Sequence, residues 1–252
     1  MTESIIYELR EHVATLTLNN PAKHNALGKK EFELIHVALQ RADSDPEARV
    51  LVLTGAGDRT FCAGASLQEL NSGVISGDDY QDMTDCVAAL EIPTICALNG
   101  NVFGGGMELA LSCDFRIGIE GSRMRVPAAA IGLCYPLRGI ERFMEKLGAT
   151  MAMRVLVASE TFSADEMLQA GILDHLVMPA EFKESVNGFA TRIAGLAPLA
   201  VHAMKKAICQ AAKGGIDWSE CAALSQQCNA SADLREGFRA QSEKRQPVFK
   251  GV

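Results

Sequence analysis

Apolar residues recur at helical spacing over residues 28–42, where Phe32, Leu34, Ile35, Ala38, Leu39 and Ala42 share one face. Before them, residues 4–9 and 12–18 read as two short strands with a turn at Arg10-Glu11, and Asn19-Asn20-Pro21 breaks the second. Val50-Leu51-Val52-Leu53 is an apolar run bounded by Gly55 and Gly57, the pattern of a strand buried on both faces. A glycine-containing loop follows from Gly55 to Ala65. Residues 78–90 suit a helix, Thr94–Leu98 a second buried strand and Phe115–Ile119 another. Between the last two, Asn99 to Ala110 looks like a strand end, a glycine turn and a helix start. Ser163 with Glu166 three residues on is a capping box for a helix to about Ala170. After Pro179 the strand signals fade. Residues 181–195, 199–213, 217–231 and 233–245 are Ala-rich and read as consecutive helices. Alternating strands and helices over roughly the first 180 residues predict an α/β fold. The change near Pro179–Pro198 divides the chain into an α/β core, 1–195, and a C-terminal helical region, 196–252.

Composition narrows this without changing it. The chain has 252 residues, 48% hydrophobic and 22% charged, which is globular and long enough to bury a core without staples. A formal charge of −7 lacks the broad basic footprint of a nucleic-acid binder, so none is expected as a partner. A local basic pocket for a phosphorylated small molecule is compatible with it. The eight cysteines include no CxxC pair and the five histidines no HExxH or HxxxH pair, so no metal site is expected. Met1 to Leu9 has no apolar signal-peptide core, and no apolar run approaches the ~18 residues that span a bilayer. The expectation is a cytoplasmic protein with reduced cysteines and no membrane contact.

Two glycine-containing loops, Phe61-Cys62-Ala63-Gly64-Ala65-Ser66 and Phe103-Gly104-Gly105-Gly106, each follow a buried strand. Both stand where a helix should begin, with unpaired backbone N–H groups. Two such groups converging on one point would form an oxyanion hole, the device that stabilises charge on an acyl oxygen. The alternative is that three glycines only make a tight turn. The glycine run fits neither the dinucleotide GxGxxG pattern nor a P-loop.

Asn25-Ala26-Leu27, Phe61 to Ala65, Asn99-Gly100 with Gly104 to Ala110, Cys113-Asp114, and the tail blocks Glu236-Gly237-Phe238 and Glu243 to Phe249 resemble the crotonase (enoyl-CoA hydratase/isomerase) superfamily. The resemblance runs over essentially the whole chain. It implies a crotonase-like spiral of ββα units with a C-terminal helical region that builds homo-trimers or hexamers. It implies an acyl-CoA substrate, with coenzyme A as part of the substrate and no separate cofactor. The oxyanion donors would be the N–H groups of Ala65 and Gly105, and the first hydratase glutamate would be Glu108. Glu108 can also be read as an acid favoured in a first helical turn.

Three departures from the family pattern stand out. The position of the second hydratase glutamate is Ala128, and no acid occurs from Arg123 to Arg138. The stretch Ile131 to Pro136 is similar to that of methylmalonyl-CoA decarboxylases, crotonase relatives with a tyrosine where this chain has Tyr135. Those enzymes carry histidine where this chain has Ala65. Tyr135 could meet a substrate carboxylate or deliver a proton, or simply pack and bond to backbone. Ser66 stands where many relatives have aspartate, and a hydroxyl caps a helix equally well.

The resemblance also places Ala63, Ser66, Leu67 and Gly106 at the thioester and Lys23, Ala26 and Leu27 near the CoA adenine, with Lys29 and Lys30 flanking. Lys244 matches a lysine that reaches the CoA of a neighbouring subunit. Cys62 is disfavoured as a nucleophile, His24 as a base, and Asp114 is read as structural. The favoured expectation is a hydratase-like lyase with one catalytic glutamate missing. The alternatives are decarboxylation of a malonyl-type CoA, double-bond isomerisation, or a catalytically silent acyl-CoA- or RNA-binding paralogue.

Overall fold

The computed structural model describes residues 3–252. Strands β1 (Ile5–Arg10) and β2 (Val13–Leu18) pair antiparallel. Their turn falls on Glu11 and His12, both at positive φ, one residue later than the sequence spacing suggests. Helix α1 (Lys29–Ser44) buries Phe32, Ile35, Ala38, Leu39 and Ala42 on one face, and only Leu34 of the expected set is left half-buried.

From β2 onward the chain repeats one pattern. A strand joins a large sheet, the next short strand joins a small sheet, and helix follows. The first unit is β3 (Val50–Gly55), β4 (Thr60–Cys62), α2 (Leu67–Ser72) and α3 (Gly77–Ala89). The second is β5 (Thr94–Leu98), β6 (Asn101–Phe103) and α4 (Gly105–Leu111), and the third is β7 (Phe115–Ile119), β8 (Arg123–Arg125) and α5 (Leu137–Ala152). Then come β9 (Thr161–Ser163), α6 (Ala164–Gln169), β10 (His175–Val177) and α7 (Phe182–Ala194). The large sheet runs β1-β2-β3-β5-β7-β10, parallel from β2 on; the small one runs β4-β6-β8-β9, with only β8–β9 antiparallel. This is the α/β spiral of ββα units that the resemblance implies.

One core lies between the large sheet and the helices α1, α3, α4 and α5, around Leu16, Leu51, Leu98, Phe61, Met107 and Phe143. Helix α7 covers the other sheet face, setting Val186, Ala190 and Ile193 against Val50, Val52, Ile95 and Ile117. Burial on both faces is why β3 and β5 read as unbroken apolar runs. Helices α8 (Pro198–Ala212), α9 (Trp218–Ala230) and α10 (Ala232–Glu243) follow. Neither α8 nor α9 buries any residue within the chain, and Met204, Ile208 and Trp218 are exposed. No helix among the described residues is long and apolar enough to cross a membrane.

Candidate active site

The two glycine loops meet backbone to backbone. A Cβ built on Gly64, which sits at φ +85°, would lie 2.5 Å from the Gly105 nitrogen, and one on Gly106 would overlap the Cys62 carbonyl. Only glycine permits that approach. The first loop is fixed from below by Asn25, whose amide donates to the carbonyls of Ala56, Thr60 and Phe61 while its oxygen accepts from Asn20 N–H. Leu27 and Ala65 form a parallel bridge: Leu27 N–H donates to Gly64 O (2.9 Å) and Ser66 N–H to Leu27 O (2.8 Å). That leaves the Ala65 N–H facing away from the bridge. Among the described residues, neither the Ala65 nor the Gly105 N–H donates to a protein acceptor. Ser66 caps α2 by accepting from Glu69 N–H, as its hydroxyl suggests. Burial pushes the Cys62 thiol up to about 12, and it donates to Asn25 O; such a thiol is no nucleophile.

Glu108 is 1% exposed in the first turn of α4. Its Oε1 accepts from Gln81 Nε2 (3.2 Å) and Thr84 Oγ1 (3.1 Å), both on α3. Its Oε2 accepts from the Tyr135 hydroxyl at 2.8 Å. Arg142 Nε, on α5, stands 4.0 Å from Oε1. Burial raises the Glu108 pKa above the ordinary carboxylate range; the Tyr135 hydrogen bond, the Arg142 charge and the Thr84 hydrogen bond oppose it. A carboxylate offers about four lone-pair positions, and three are taken. The fourth is on Oε2, beside Gly139, where a Cβ would come within 2.9 Å of that oxygen. Burial and the adjacent Glu108 keep the Tyr135 phenol far above its ordinary pKa, hence protonated and donating. Its ring packs edge-on against Phe143, with centroids 5.6 Å apart. So Tyr135 does pack, but its hydroxyl goes to Glu108 rather than to backbone.

The structure thus gathers Leu27, Ala63, Gly64, Ala65, Ser66, Gly105 and Gly106 at one loop pair, with Glu108 and Tyr135 joined beside it. Ala128 is buried and begins the short turn over 129–131. Lys23 is exposed at the end of the turn Pro21–Lys23, with Ala26 half-buried after it; Lys29, Lys30 and Leu67 are exposed. His24 is exposed and bonds Thr60 Oγ1. Lys244 closes α10, which packs on α9. Asp114 accepts from Thr94 N–H and Oγ1 and pairs with Lys205, a structural role.

Sequence reasoning passed over Gln81, Thr84, Gly139 and Arg142. For the first two a signal existed: both lie three residues apart on a predicted helix face, polar where apolar residues are due. For the other two there was none, because α5 was not recognised.

A family model described as Enoyl-CoA hydratase/isomerase matches residues 8–252. The chain is 33% identical to the crotonyl-CoA hydratase of Syntrophomonas wolfei, over 98% of each protein. It is 31% identical to the short-chain-enoyl-CoA hydratase of Clostridium acetobutylicum, over 96% of this chain and 95% of that one. The crystal structure of an enoyl-CoA hydratase from Bacillus anthracis superposes with a TM-score of 0.91 at 28% identity, covering 99% of this chain and 100% of the other.

Proposed function

The chain belongs to the enoyl-CoA hydratase/isomerase family, and from that we propose a hydratase-like acyl-CoA lyase that works with a single carboxylate. The acyl thioester lies over the loop pair, and its carbonyl oxygen accepts from the N–H groups of Ala65 and Gly105. These donors stabilise the enolate oxygen as charge develops. Ala63, Ser66, Leu67 and Gly106 surround the thioester; Lys23, Ala26 and Leu27 border the CoA, with Lys244 supplied by a neighbouring copy in a trimer or hexamer. Those lysines give an acidic protein a local cationic surface for the CoA phosphates.

Glu108 moves the proton. Its open position on Oε2 accepts a proton from water as the water oxygen bonds to the β-carbon and the C=C electron pair passes to the thioester enolate. The same proton then goes to the α-carbon as the enolate collapses. Tyr135, kept protonated, holds Oε2 in place. The observation that carries this reading is the state of Glu108: buried and fixed by three donors, with one acceptor position left; the family resemblance adds Ala128 at the position it assigns to the second hydratase acid.

The hydrogen bond from Tyr135 to Glu108 favours one second reading, decarboxylation of a malonyl-type CoA, in which the phenol lies near the departing carboxylate and the enolate is protonated at the α-carbon. Incubating the protein with crotonyl-CoA, a 3-enoyl-CoA and methylmalonyl-CoA, with mass-spectrometric readout, separates the reactions. Expected is hydration of crotonyl-CoA at a rate ~10²–10⁴-fold below a two-glutamate relative. Preferential loss of CO₂ from methylmalonyl-CoA would establish the second reading instead. Turnover of the 3-enoyl-CoA alone would establish isomerisation, and binding without turnover a silent acyl-CoA binder.

A further inference from the structure

Tyr80 lies on α3 with its ring buried at 5% exposure, edge-on to Phe32 of α1 (centroids 5.7 Å apart). Its hydroxyl is buried, and among the described residues nothing partners it. It points at the loop pair: a Cβ on Gly105 would sit 2.7 Å from Tyr80 Cζ and 2.9 Å from its Oη. A side chain on Gly105 would collide with the phenol, and the unpartnered hydroxyl abuts the residue whose N–H is also unpartnered. Burial, then the neighbouring Cys62, Tyr135 and Glu108, hold the phenol far above its ordinary pKa, so it is a donor seeking an acceptor.

We propose that the Tyr80 hydroxyl donates to an oxygen substituent of the acyl group, a carboxylate or hydroxyl within one or two carbons of the thioester carbonyl, and so selects oxygenated short acyl-CoAs over plain alkanoyl ones. This rests on the acyl-CoA reading above. The thioester oxygen is not the acceptor, because a carbonyl has two lone pairs and the Ala65 and Gly105 N–H groups use both. Water alone is a poor partner, since a buried water needs several polar neighbours. A buried hydroxyl left unmade is unfavourable, and retaining it beside a binding loop trades stability for recognition.

The test is equilibrium binding of butyryl-, malonyl-, succinyl- and 3-hydroxybutyryl-CoA to the unaltered protein and to Tyr80→Phe, with ligand integrity checked by mass. In the unaltered protein, at least one oxygenated ligand should bind about 10- to 100-fold tighter than butyryl-CoA. In Tyr80→Phe that preference should collapse towards unity while butyryl-CoA affinity stays within about twofold. The free variant should melt roughly 2–4 °C higher, because only an unpaired polar atom is removed; a structural hydroxyl would give the opposite shift. Tyr80→Leu should lose the preference as well. A preference unchanged by Tyr80→Phe, an equal loss for all four ligands, or a lower melting temperature would overturn the proposal and leave the acyl-CoA reading standing. Failure of the unaltered protein to bind any of the four would overturn both.

Discussion

Glu108 shows how a buried carboxylate is kept usable. Desolvation favours its protonated form, while Tyr135, Arg142 and Thr84 favour the ionised one. As a base it must be ionised, so activity rises with pH through an apparent pKa above the ordinary carboxylate range. Tyr135→Phe deletes one of the influences that lower that pKa. The acid limb of kcat/KM should therefore move to higher pH in this variant, and a limb that stays put or moves down would contradict the assignment. The same variant should depress decarboxylation strongly and isomerisation little. Glu108→Gln should lower turnover by ~10²–10⁴-fold. It should fold normally, because the amide oxygen still accepts from Gln81 and Thr84 and the Tyr135 hydroxyl can turn to accept from the amide; circular dichroism and product formation check both halves.

At the scale of elements, the site is a consequence of strand ends. Parallel strands β3 and β5 of the large sheet each pass into a short strand of the small sheet and then a glycine loop, so the loops after β4 and β6 emerge side by side. Their contact depends on Gly64. Gly64→Ala should cost about 1–3 kcal/mol for its positive φ and more for the collision with the Gly105 nitrogen. Gly132, at φ +78° and with open space within 4 Å of where a Cβ would stand, is the control: Gly132→Ala should cost about 1–2 kcal/mol. Urea denaturation of the pair isolates the packing contribution, and only Gly64→Ala should also abolish turnover. Equal costs would mean that the loops tolerate separation.

At the scale of the whole molecule, neither α8 nor α9 has a fully buried residue within the chain. Met204 and Ile208 of α8 and Trp218 of α9 leave apolar area in water that association would remove. Sedimentation at micromolar concentration should show a trimer or hexamer. Ile208→Glu should shift it towards monomer without loss of helical signal. If Lys244 serves a neighbour's CoA, the monomeric variant should also bind CoA more weakly. A monomeric unaltered protein would remove both the assembly and that role of Lys244.

The sequence by itself determined the elements whose period is long enough to see. These are β1, β2, α1, the buried strands β3, β5 and β7, α3, the capped helix α6 and the four C-terminal helices, whose ends fall within about two residues of their expected places. The two glycine loops are also legible in the sequence, as turns after buried apolar strands, whereas Glu108, Tyr135 and Ala128 are singled out only by the resemblance to the crotonase superfamily. Strands β4, β6, β8, β9 and β10 have three residues each, too few to show alternation, and only their neighbours in the sheets make them strands. Helix α5 was hidden behind an irregular stretch and its own glycines. Tertiary structure alone decided that Tyr135 bonds Glu108 across 27 residues of chain, that α3 supplies Gln81 and Thr84 to the same carboxylate, and that Tyr80 fills the space Gly105 leaves. The reason is physical: hydrophobic period and backbone propensity act over a few residues, whereas a donor meets an acceptor from a distant helix only once the packed core has fixed both.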